Sequence, residues 1–109
     1  MAVDKIGAET SVAEQAGRFT ISVEGRPVGF TKFFDRDGRR VFVHTEVNDE
    51  FEGRGLATIL VGEALAATKE AGLRIVPVCK LVAAYCDKHP EYNDIVDPPN
   101  IAERQHRAT

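Results

Sequence analysis

Between Val47 and Leu56 the chain changes its hydrophobic period, and that change limits the folds open to it. Upstream, Phe19, Ile21 and Val23 alternate with Thr20, Ser22 and Glu24, the period of a half-buried strand. Downstream, Ile59, Leu60, Ala64, Leu65, Ala67 and Ala71 recur in three- and four-residue steps, which mark one face of a helix. The switch is the run Val41-Phe42-Val43-His44-Thr45-Glu46-Val47, continued by Asn48-Asp49-Glu50-Phe51-Glu52-Gly53-Arg54-Gly55-Leu56-Ala57. A strand here empties through a glycine-bearing turn into a helix.

Such a helix opening attracts anions. Its first amide hydrogens lack intrahelical acceptors, and the aligned peptide dipoles leave partial positive charge there. Gly53 and Gly55 have no Cβ, so a phosphate can approach the backbone and the chain can take positive φ. The turn is not a dinucleotide fingerprint, because Thr58 stands where a third glycine is required, and no Gly-Lys-Ser/Thr occurs. Taken alone, its spacing fits a phosphate-bearing ligand and a tight structural turn equally well.

The rest of the pattern frames that turn. Strands are predicted near 10–14, over 18–24, from Pro27 to Phe34 and over 40–47. Gly25-Arg26 and Asp35-Arg36-Asp37-Gly38 separate them as turns, so the front half reads as an antiparallel meander. The helix from Leu56 ends at Gly72, and Leu73-Arg74-Ile75-Val76-Pro77-Val78 reads as a further strand. A second helix is predicted over 80–89, stopped by Pro90. Strand, helix, strand implies a right-handed crossover and a parallel pair. Pro77 should interrupt its ladder late, so the two parallel strands are predicted to diverge at their C-terminal ends. Unpaired backbone groups along that slot would bind an extended, amide-containing arm as an added strand is bound.

The class is therefore α+β, with a single domain over 1–96 and, after Asp97-Pro98-Pro99-Asn100, a flexible tail over 97–109. A chain of 109 residues suits one core. A formal charge of −3, from 14 basic and 17 acidic residues, argues against a nucleic-acid partner. No apolar run approaches the ~20 residues of a membrane span, and the first residues lack the apolar centre of a secretion signal. A cytoplasmic location is the expectation. Cys79 and Cys86 would lie ~10 Å apart along a helix, beyond disulfide reach, and no metal-ligand spacing occurs. An exposed edge strand leaves monomer and homodimer both open.

The strand with His44 and Glu46, the glycine turn, Val76-Pro77-Val78-Cys79 and Tyr85-Cys86-Asp87-Lys88-His89-Pro90-Glu91-Tyr92 together resemble a short family within the GNAT superfamily of N-acetyltransferases. The likeness covers residues 19–96, and the last two blocks carry most of its specificity. It implies a minimal GNAT-like fold that uses acetyl-CoA. The diphosphate would rest on the amides of Glu52, Gly53, Arg54, Gly55, Leu56 and Ala57, with the arm beside Val47 and Tyr85. It also implies a catalytic pair of Cys79 and His44, with acetyl passing through a Cys79 thioester to an amine. A helix opening favours the thiolate form of cysteine, and histidine side chains ordinarily titrate near neutrality.

The rival route is direct attack by the amine, with Glu46 or His44 as base and Tyr85 protonating the departing thiolate. Placing Val41 opposite Leu73 puts Cys79 and His44 three residues out of register, ~10 Å apart at strand rise. Two departures from the superfamily pattern stand out. Glu50 replaces a glutamine or arginine, and is expected to face solvent while Arg54 compensates its charge. The superfamily's first helices, which help build the acceptor pocket, are absent, so a small amine, a polyamine and a protein lysine remain open as acceptors. A non-catalytic CoA or acyl-CoA binding module is the alternative function.

Overall fold

In the computed structural model, which describes residues 7–51 and 53–104, the alternating front half forms four consecutive antiparallel strands. These are β1 (Thr10–Gln15), β2 (Arg18–Val23), β3 (Arg26–Arg36) and β4 (Arg39–Val47). Helix α1 (Leu56–Glu70) crosses to β5 (Arg74–Pro77), which pairs parallel with β4 and completes a five-stranded sheet in chain order. Helix α2 (Lys80–Lys88), a 3-10 segment (Pro90–Ile95) and the short α3 (Ile101–Arg104) follow. This is the α+β arrangement that the change of period predicts.

Two apolar clusters flank the sheet. Phe19, Ile21, Phe33, Phe42 and Ile75 meet Leu56, Leu60 and Leu65 of α1 and Val82 of α2. Val41, Val43, Val76 and Val78 pack with Phe34 as a separate cluster. Burial on both faces near β5 explains why Val41, Phe42 and Val43 are apolar in succession.

Two irregularities shape the site. The β3–β4 register passes from Phe33↔Phe42 to Lys32↔His44 and skips Val43, a β-bulge. The inserted residue resets the alternation, so Phe42 and Thr45 share the helix-covered face while His44 and Glu46 turn to the other. The second irregularity is the short parallel ladder. It ends at Phe42↔Pro77, whereas β4 runs on to Val47. Pro77 offers no N–H, and Val78 N–H bonds back to Val76 O at 3.2 Å, a tight turn that carries the chain off the sheet. The divergence predicted from Pro77 is present. The register is not the expected one, since Val41 faces Val76 rather than Leu73.

The segment after Val96 is anchored where a loose tail was expected. Asp97 N–H donates to Ile75 O at 2.8 Å, and Arg74 donates twice to the Asp97 carboxylate, at 2.8 and 2.7 Å. Asn100 and Glu103 cap each other reciprocally across the start of α3, at 2.9 and 2.8 Å. The Glu103 side chain is 1% exposed and accepts two hydrogen bonds from Arg39, at 2.9 and 3.1 Å. Residues 97–104 thus bind the outer edge of β5 and the start of β4. Residues 105–109 lie outside the described residues.

Arg39→Ala would strand the Glu103 carboxylate without its partner and should cost about 3 kcal/mol in urea unfolding, against a few tenths for an exposed arginine. Asp97 supplies a pH test. Its carboxyl is held below the usual carboxylate range, chiefly by the Arg74 hydrogen bond. A depressed folded-state value stabilises above the ordinary carboxylate range and is lost as pH falls through the lower folded value. Wild type and Asp97→Asn should therefore differ in unfolding midpoint at neutral pH and converge as the solution is acidified below the usual carboxylate range.

Candidate active site

The α1 opening has the features that the glycine turn promised. Gly53 and Gly55 take φ of 79° and 77°, conformations that an L side chain resists, and Gly55 is the cap residue. No side chain caps the helix, and its first turn carries no acidic residue. Its amides therefore open toward a cavity of about 570 Å³, whose wall includes Thr45, Glu46, Val47, Gly53, Gly55 and Leu56. Ala57, Thr58 and Leu81 continue from it into a groove of about 260 Å³ between α1 and α2, closed by Tyr85, Lys88 and His89. Leu81, 46% exposed, gives this groove an apolar floor.

Charge near the turn is arranged differently from expectation. Glu50 is exposed as expected, but Arg26 pairs with it at 3.2 Å, while the Arg54 guanidinium lies over the Phe51 ring at 4.7 Å. Glu52 lies outside the described residues. The carboxylates that line the larger cavity among the described residues are Glu46 and Asp49.

The predicted catalytic side chains fall into two groups. His44 Nε2 and Glu46 Oε1 are 3.3 Å apart on the exposed face of β4. The Phe30 ring lies 6.0 Å from the imidazole. Cys79 sits across the sheet from them. It is 7% exposed, initiates α2 in extended geometry, and donates its thiol hydrogen to Thr45 Oγ1 at 3.3 Å. Thr45 is also hydrogen-bonded to Thr31, at 2.9 Å. Adjacent residues of a strand point to opposite faces, so a cysteine against Thr45 does not meet His44. The expected register error is not the cause. Extending Phe42↔Pro77 by two residues would bring Cys79 level with His44, but Cys79 N–H bonds to Phe42 O at 2.9 Å and β5 has already left the sheet.

Tyr85 stands in the groove, stacked on His89 with centroids 3.9 Å apart. A Cβ on Gly62 of α1 would come within 2.8 Å of the Tyr85 hydroxyl, so a glycine there lets the two helices share this space. Burial first, then the Glu91 and Cys86 charges, raise the Tyr85 phenol above its ordinary value. A raised phenol stays protonated, the form a proton donor needs. Sequence reasoning missed Thr45, Gly62 and Leu81. Thr45 hides within an ordinary strand pattern, and the other two gain meaning only when α1 and α2 are side by side.

The chain matches the family described as GCN5-related N-acetyl-transferase over residues 18–95. It is similar in fold to a GCN5-like candidate N-acetyltransferase from Staphylococcus aureus whose solution structure was determined by NMR. The two are 20% identical, with a TM-score of 0.62, over 84% of this chain and 91% of that one. No curated protein matches.

Cys86 provides a chemical check on the packing of α2. Burial, with Asp87 adding its charge, pushes this thiol up to about 11. Alkylation of Cys86 at pH 8, followed by peptide mass spectrometry, should run about a hundredfold slower than that of a free thiol, in line with its smaller thiolate fraction.

Proposed function

Because the chain belongs to the GCN5-related N-acetyltransferase family, we propose that it transfers acetyl from acetyl-CoA to an amine by direct attack. The observation that carries this reading is the early end of the β4–β5 ladder, which leaves the β5-side edge of β4 without a strand partner beyond Phe42, beside a cavity joining the uncapped α1 opening to Glu46. The residues fit the donor. Gly53, Gly55, Leu56 and Ala57 offer backbone to a diphosphate, Arg26 draws the Glu50 charge aside, and Val47 and Leu81 give an arm apolar contact. When bound, acetyl-CoA supplies an activated carbonyl with a thiolate leaving group. Glu46, hydrogen-bonded to His44, accepts the proton that the acceptor ammonium must lose before its nitrogen can attack, and His44 holds that carboxylate in position. Tyr85, kept protonated, is available at the groove to donate to the departing sulfur.

A covalent route through Cys79 has one observation in its favour, the contact of its sulfur with Thr45, which lines the cavity. Its burial and its separation from His44 count against it. Intact mass after mixing with acetyl-CoA decides between the two. Direct transfer predicts no stable acetyl adduct and near-normal turnover in Cys79→Ser, whereas an adduct lost in Cys79→Ser establishes the thioester.

Glu46→Gln should lower kcat by about a hundredfold, with CoA affinity by calorimetry unchanged. Gly53→Asp should abolish CoA binding by setting a carboxylate against the diphosphate. CoA binding without turnover of any amine would make the protein a binding module.

A further inference from the structure

We propose that the exposed face of β2, β3 and β4 is the acceptor site and that it selects small amines carrying an anionic group, a carboxylate or a phosphate. The inference rests on the acetyltransferase reading and deepens it.

Strand register sets six side chains on this face in two rows. Arg18 faces Lys32 and Lys32 faces His44, while Thr20 faces Phe30 and Phe30 faces Glu46. Their sequence neighbours Phe19, Thr31 and Thr45 are buried on the opposite face, which fixes the direction of these six. The bulge at Val43 is what brings His44 and Glu46 into line with Lys32 and Phe30. A cavity of about 190 Å³ opens here, lined by Arg18, Thr20, Phe30, Glu46 and Asn48 among others, a volume suited to a molecule of amino-acid size.

Glu46 lines this cavity and also the larger one at the α1 opening. An amine held at Glu46 from the sheet face is therefore adjacent to the space where the thioester would lie. The charges on the grid are unbalanced. Glu46 is its one carboxylate, set against Arg18 and Lys32, and among the described residues neither cation has a carboxylate within ion-pairing distance. The Arg18 guanidinium lies over the Phe30 ring at 4.4 Å, so its charge is held above the cavity rather than left to sweep solvent. An acceptor with an ammonium at one end and an anion at the other satisfies Glu46 and Arg18 together. A polyamine or a lysine-rich segment meets two cations with nothing to offer them.

The test compares matched amines by CoA release: glycine against glycinamide for a carboxylate, glucosamine 6-phosphate against glucosamine for a phosphate, and spermidine as a polycation. The ratio of kcat/KM in wild type to that in Arg18→Ala cancels each amine's own reactivity. The expected ratio is about tenfold for glycine or glucosamine 6-phosphate, seated in KM, and about one for the neutral partner. The member that responds identifies the anion. Arg18→Lys should keep most of the preference, which loss of a merely structural contact would not. A ratio equal within both pairs, or spermidine as the best acceptor, overturns the inference while leaving the transferase reading intact. Bound acetyl-CoA with no amine acetylated overturns both.

Discussion

The early end of the β4–β5 ladder is the constraint from which the site follows. A parallel pair normally satisfies both strands along their shared length. Here Pro77 cannot donate, Val78 folds back on Val76, and beyond Phe42 β4 runs to Val47 paired with β3 alone. Backbone polar groups left unpaired in a sheet interior are costly unless something satisfies them. A slot that has such groups on one side and the bare amides of a helix opening at its end is suited to a ligand with both amide and phosphate. The opposite end of β5 is held by contrast. Asp97, Arg74, Arg39 and Glu103 fasten it, so the strand is fixed where it pairs and released where it diverges.

The bulge at Val43 does separate work. Without it, strict alternation from Phe42 would put His44 and Glu46 beneath the helices and Thr45 outside. With it, Thr45 turns inward to Cys79 and the His44–Glu46 pair turns outward. One inserted residue thus divides the polar chemistry between two faces. The thiol lies on the packed side, and the His44–Glu46 pair lies on the exposed side. For the proposed transfer, that division suits a ternary complex, with donor and acceptor on either side of the separated strands, rather than a relay through sulfur.

Much of the fold was legible because its signals are local. Alternation around Phe19 to Val23, the Asp37-Gly38 turn, the helical spacing after Leu56 and the stop at Pro90 each depend on near neighbours, and all reappear as elements. The anchoring of residues 97–104 was not legible. Two prolines in four residues signal a break, but the partner of Glu103 is Arg39, 64 residues away, and no local pattern pairs them.

The sequence by itself determined the α+β class, the parallel crossover, the glycine opening of α1 and the divergence at Pro77, since each follows from covalent properties of the residues present. Only the tertiary structure decided which side chains meet. A register offset of three residues and a single bulge change every cross-strand neighbour, and both are fixed by how strands pair and pack. Cys79 and His44, joined by resemblance, are parted because the Val43 bulge turns His44 to the opposite face and the chain leaves the sheet after Pro77.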